Sequence, residues 1–125
     1  MARVLIVEDD ANNRELIARL VALMGHEPIL AEDGAQGVAL ARNELPDLII
    51  MDMGLPVLNG WQATHRIKAY SKTSHIPVLA LTAYALNEDR IRALASGCDD
   101  YETKPIDFAS FQQKVTNLLQ TGGKR

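Results

Sequence analysis

A single cysteine, Cys98, stands in a chain of 125 residues, so no disulfide can form within it and stability has to come from a packed core. Long apolar runs are missing as well. Every extended uncharged stretch is interrupted by Pro, Gly, Asn or Gln, and none has the length of a membrane span. No signal-peptide pattern opens the chain, which together with the lone thiol sets the expectation of a cytoplasmic protein. Charge of one sign is scarce. Thirteen Lys+Arg against sixteen Asp+Glu leave a net charge of −3, with no basic footprint for direct nucleic-acid binding. Internal repeats, linkers and low-complexity segments are also absent, which leaves one domain. Hydrophobic residues make up 47% and charged residues 23% of the chain, the composition of an ordinary folded domain. At this length roughly two-thirds of the unfolded surface can be buried.

Two hydrophobic periods alternate along the chain. Val4-Leu5-Ile6-Val7, Leu48-Ile49-Ile50-Met51 and Val78-Leu79-Ala80-Leu81 are unbroken apolar runs, the last entered through Pro77. Strands apolar on both faces suit a parallel sheet covered by helices above and below. Pro28–Ala31 and Tyr101–Lys104 read as weaker, peripheral strands. Helical patterns lie between: one entered through Asn12 and stopped by Gly25, then Ala35–Asn43, Trp61–Tyr70, Asn87–Ser96, and a last one capped by Asp107. In the first helix, Leu16, Leu20 and Leu23 with Ile17, Val21 and Met24 read as a broad core stripe, leaving Asn13, Arg14 and Arg19 for partner contact. Residues 122–125 read as a disordered tail. Five β–α units with right-handed crossovers imply an open α/β sheet.

A parallel sheet delivers the carboxyl end of every strand to one edge, where ligands bind. After the first strand come Glu8, Asp9 and Asp10; the third ends in Asp52, the fourth in Thr82 and the fifth in Lys104-Pro105. Two carboxylates about 5 Å apart repel by about 3 kcal/mol at an effective dielectric near 20. A divalent cation and the lysine would relieve that repulsion, and oxygen donors of this hardness favour Mg²⁺. Phosphoryl oxygens could fill its remaining positions, which makes Asp52 a candidate nucleophile. Taken singly, each residue has a plainer reading: Asp9 or Asp10 as a helix cap, Asp52 as a turn former, Lys104 as a solvated lysine. Their joint placement at four strand ends argues for the site.

Four motifs occur in order: Val7-Glu8-Asp9-Asp10; Asp52-Met53-Gly54-Leu55-Pro56 leading to Gly60; Ala80-Leu81-Thr82-Ala83; and Gly97-Cys98-Asp99-Asp100-Tyr101 running into Lys104-Pro105. On these the chain resembles the receiver domain of bacterial two-component response regulators, over residues 2–120. The resemblance implies a flavodoxin-like (βα)5 three-layer sandwich with strand order 2-1-3-4-5, forming a receiver domain over residues 1–121. It implies Asp52 as phosphoacceptor and Asp10 and Asp52 as direct Mg²⁺ ligands, with Mn²⁺ as a substitute. The Gly54 carbonyl would be a third ligand, and Asp9 would act through metal-bound water. Thr82 and Lys104 would contact the phosphoryl group, Tyr101 would be the switch aromatic, and the Lys104-Pro105 bond would be cis. The partners implied are a sensor histidine kinase or histidine phosphotransfer protein and a downstream protein bound through residues 86–120. Gly54 and Tyr84 depart from the commoner residues of the family, and Tyr84 is expected to shield the phosphorylated form partly from water.

Other functions fit less well. Aspartate-based phosphohydrolases of the haloacid dehalogenase type place a second Asp two residues after the nucleophile, where this chain has Gly54. A nucleotide- or flavin-binding module would need a phosphate loop after the first strand, and Glu8-Asp9-Asp10 presents negative charge there instead. Catalysis limited to the protein's own phosphorylation and dephosphorylation is therefore expected, rather than a turnover enzyme.

Overall fold

The computed structural model describes residues 1–83, 91 and 94–122. Five strands form one parallel sheet: β1 (Arg3–Val7), β2 (Glu27–Ala31), β3 (Leu48–Asp52), β4 (Val78–Thr82) and β5 (Asp100–Thr103). Their order is β2-β1-β3-β4-β5, as expected. Four helices are described whole: α1 (Ala11–Leu23), α2 (Gly34–Glu44), α3 (Gly60–Ala69) and α4 (Phe108–Gly122). The helix expected over Asn87–Ser96, Tyr84 before it, and the tail residues 123–125 lie wholly or largely outside the described residues.

The period-2 alternation of the strands sorts their side chains into two cores. Leu5, Val7, Ile49, Met51, Val78 and Ala80 face α2 and α3, where Val38, Ala41, Ala63 and Ile67 meet them. Val4, Ile6, Leu48, Ile50, Leu79 and Leu81 face the other way, toward Ile17 and Val21 of α1 and Phe111, Val115 and Leu118 of α4. Both faces of the three central strands are therefore dry, which explains runs that are apolar throughout rather than alternating.

Helix boundaries follow local chemistry. Asp10, not Asn12, caps α1: its carboxylate accepts the Asn13 N–H at 2.9 Å. Asp33 caps α2 and Asn59 closes a capping box with Gln62 at the start of α3. Asp107 caps α4 as expected, accepting from Ala109 N at 3.1 Å. Gly25, at φ 86°, ends α1 in the left-handed region that favours glycine.

The broad apolar stripe expected on α1 is narrower in the structure. Ile17 and Val21 are buried, but Leu16 is 50% and Leu23 78% exposed. Ile17 and Val21 form the fully covered row of α1, Ala18, Leu20 and Met24 are partly covered beside it, and Leu16 and Leu23 fall outside that strip.

Candidate functional site

Register gathers the polar residues at one sheet edge. Val4 pairs with Leu48 and Ile6 with Ile50, so two residues further on Glu8 and Asp52 continue the same row. Asp52 in turn lies beside Leu81, and Leu81 beside Glu102. Lys104, two past Glu102, extends that row. One face of the sheet, apolar along its strands, thus ends in two carboxylates and an ammonium.

The contacts agree. Lys104 Nζ donates to Glu8 Oε1 at 2.8 Å and stands 3.4 Å from Asp52 Oδ1. Asp52 Oδ1 also accepts from the Gly54 backbone N–H at 3.0 Å, and Glu8 Oε2 from the Asp10 N–H at 3.3 Å. Glu8, Asp52 and Thr82 are buried, whereas Asp9 is exposed. Thr82 closes β4 one residue past the partner of Asp52, and its carbonyl accepts the Lys104 N–H at 2.9 Å. The Lys104-Pro105 peptide bond is cis, as expected.

One ammonium cannot neutralise two buried carboxylates. Burial pushes the Glu8 carboxyl up to about 7, and its hydrogen bond and repulsion with Asp52 add to this against the opposing pull of Lys104. Burial alone would draw the Lys104 ammonium down, but Glu8 and Asp52 outweigh it and hold it above its ordinary value. Glu8, Asp9 and Asp52 each bring a carboxylate oxygen within 4.8 Å of the others. Three hard oxygen donors with a deficit of positive charge suit a divalent cation such as Mg²⁺.

Glu8 stands where Asp10 was expected. Asp10 caps α1 and lies outside this carboxylate group. The signal for Glu8 was available in the alternation Val4, Ile6, Glu8, which puts it on the face of Asp52, while Asp10 already lies at the helix start. Of the other expected residues, Asp9, Asp52 and Lys104 come together, Thr82 stands at the same edge, and Gly54 contacts Asp52. Tyr101 is half-buried against the α2–α3 core. Lys114 Nζ of α4 donates to its carbonyl at 2.7 Å and lies 5.1 Å from its ring centroid.

A cleft of about 360 Å³ opens beside the site, lined by Glu8, Asn13, Leu16, Lys104, Pro105 and Ile106. A larger one, about 440 Å³, lies at the opposite sheet edge near Met1, His26 and Pro77, away from the carboxylate group. Among the described residues no helix is long and apolar enough to cross a membrane.

Comparison with known proteins points the same way. The family model of the response regulator receiver domain matches residues 4–116. PilH of Pseudomonas aeruginosa is 38% identical over 119 residues, covering 95% of this chain and 98% of that protein. The polar-differentiation response regulator DivK of Brucella anthropi is 38% identical over 116 residues, covering 93% of this chain and 94% of its own. The receiver domain of a Pseudomonas aeruginosa sensor histidine kinase superposes with a TM-score of 0.89 at 36% identity, covering 95% and 98% of the two chains. Its crystal structure holds a magnesium ion coordinated in the active site cleft.

Proposed function

The chain belongs to the response regulator receiver domain family, whose members are phosphoacceptor signalling modules of two-component systems, and from that premise we propose that Asp52 is its phosphoacceptor. The observation that carries the reading is Lys104 Nζ placed between Glu8 and Asp52, with the Asp9 carboxylate close by. A carboxylate oxygen of Asp52 attacks the phosphorus of a phosphohistidine on a partner kinase or phosphotransfer protein. The P–N bond breaks, the imidazole leaves, and an acyl phosphate forms on Asp52. Glu8, Asp9 and Asp52, with the Gly54 carbonyl suggested by the family pattern, would hold Mg²⁺. When bound, the ion supplies neutralisation of the charge on the transferring group. Mn²⁺ shares the preference for oxygen donors and would substitute.

Lys104 keeps its proton between two carboxylates and so offers a fixed positive charge to the arriving phosphoryl oxygens. Thr82, at the adjacent strand end, supplies a hydroxyl. The phosphoryl group adds a charge of roughly −2, which draws Lys104 and Thr82 toward it and moves Tyr101 and the surface formed by β5 and α4. A downstream protein would read that surface. The module works in the cytoplasm and turns over no substrate beyond its own phosphoryl group.

Intact-mass spectrometry after incubation with acetyl phosphate and Mg²⁺ tests the assignment. The expected result is a Mg²⁺-dependent gain of one phosphoryl group in the wild type and none in Asp52→Asn; a gain in both would place the acceptor elsewhere. The roles of the neighbouring acids separate by substitution. Asp10→Ala is expected to lower stability by about 1 kcal/mol through loss of the helix cap and to leave Mg²⁺ affinity unchanged. Asp9→Asn is expected to do the reverse, abolishing Mg²⁺ binding in calorimetric titration while the protein melts at or above the wild-type temperature.

A further inference from the structure

Arg14, expected on the solvated face of the first helix, is drawn inward. Its side chain is 15% exposed; Nη1 donates to the backbone carbonyl of Glu8 at 2.9 Å, and Nη2 stands 3.6 Å from Glu32 Oε1. We infer that Arg14 is a positioning residue for the turn Glu8–Asp10, holding Asp9 in the orientation that receives a divalent cation. The inference rests on the reading of Glu8, Asp9 and Asp52 as the cation site.

The turn is tied down on both sides of Asp9. On one side the Glu8 N–H bonds Ala31 O at 3.1 Å, and the Glu8 carboxylate bonds Lys104. On the other, the Asp10 carboxylate is held by the Asn13 N–H, and the Asp10 carbonyl accepts from the Arg14 N–H at 2.8 Å. The Glu8 carbonyl belongs to the peptide unit that carries the Asp9 nitrogen. Because that unit is planar, fixing its oxygen fixes the direction in which the Asp9 chain leaves the backbone. Arg14 does this from the first turn of α1, and its second arm reaches the segment between β2 and α2, so the guanidinium also sets the turn against the neighbouring strand connection.

Charge and geometry make opposite predictions here. A guanidinium next to a cation site repels the incoming ion, so if Arg14 acted only as a charge its removal would tighten Mg²⁺ binding. If it positions Asp9, removal loosens the donor set and weakens binding, by about tenfold on the scale of second-layer partners at metal sites.

Calorimetric titration with MgCl2 of the full chain, with thermal melting in EDTA alongside, decides between them. Arg14→Gln is expected to bind Mg²⁺ about tenfold more weakly. Arg14→Lys, which keeps the charge but loses the two-armed bridge, is expected to bind more weakly by a smaller factor. Arg19→Gln is the charge control on the same helix, its guanidinium paired with exposed Glu15 at 2.6 Å, and is expected to match the wild type. Wild-type or tighter affinity in Arg14→Gln overturns the inference, including the case in which only the melting temperature falls. Should Arg14→Gln not fold, wild-type affinity in Arg14→Lys overturns it equally. Asp9→Asn separates the two readings. If it abolishes binding while both Arg14 variants bind normally, only the positioning role fails; if it binds Mg²⁺ like the wild type, the cation site itself fails and the inference with it.

Discussion

In EDTA, raising the pH from 4.5 to 7 is expected to destabilise the wild-type protein relative to Glu8→Gln by about 3 kcal/mol, with no further divergence above pH 7. The sign follows from where the proton sits. The Glu8 carboxyl moves from an ordinary 4.5 to about 7 on folding, because it is buried beside Asp52. Below pH 4.5 it is neutral in both states and contributes no slope. Between 4.5 and 7 the unfolded chain releases the proton while the folded chain retains it, so each step up in pH favours unfolding. Above 7 both states are ionised and the loss is complete. Glutamine keeps the shape and cannot titrate, so the difference between the two proteins isolates Glu8 from the other carboxylates. Urea denaturation at four pH values across this window measures it. A difference that does not change with pH would mean that the ion pair with Lys104 at 2.8 Å prevails over burial. The same proton stands in the way of a cation: Mg²⁺ affinity is expected to rise by up to about tenfold per pH unit toward 7 and then level off.

That one glutamate also shows where reading the sequence succeeds and where it stops. Strands apolar on both faces can only be central strands of a covered parallel sheet, so Val4–Val7, Leu48–Met51 and Val78–Leu81 carry the architecture on their own, and register then carries Asp52 and Lys104 to one edge. Three acids in a row after the first strand are a different problem. Glu8, Asp9 and Asp10 have similar chemistry and differ only in rotation about the backbone as strand turns into helix. Strand-end position put all three acids at the site, and the resemblance chose Asp10 as the direct ligand; counting by twos from Val4 favours Glu8, and counting back three from the Asn13 N–H makes Asp10 the cap. The exposed leucines of α1 were illegible for a related reason. Apolar spacing marks a helix face, but how wide a strip of that face is covered depends on how the helix lies on the sheet, and Leu16 and Leu23 fall outside the covered strip, 50% and 78% exposed. Arg14 looks in the sequence like any surface arginine, because its partner is a main-chain carbonyl, which every residue has.

Gly60→Ala is expected to cost about 3 kcal/mol of stability and to slow phosphorylation roughly a hundredfold, although residue 60 carries no functional group. A Cβ built there would stand 2.3 Å from the carbonyl oxygen of Asp52 and 2.6 Å from Met53 Cα. Both are backbone atoms, so no side-chain rotation relieves the clash; either α3 backs away from the sheet or the end of β3 is pushed aside. Helix α3 is held at this end by the capping box of Asn59 and Gln62 and along its length by Ala63 and Ile67 in the core, which resists the first response. The second moves Asp52 itself relative to Lys104, whose Nζ lies 3.4 Å from Oδ1, and relative to the Gly54 N–H at 3.0 Å. A displacement of about 1 Å at a reacting group is enough for a hundredfold loss in rate. Gly54→Ala is the matched comparison: its Cβ would meet Asp52 Oδ1 at 3.6 Å, an ordinary contact, and stability is expected to change by no more than about 0.5 kcal/mol. Urea unfolding together with the rate of acetyl phosphate labelling measures both effects. A Gly60→Ala protein as stable and as quickly labelled as the wild type would show that α3 yields instead, and that the phosphoacceptor is not positioned by the close approach of this helix to its strand.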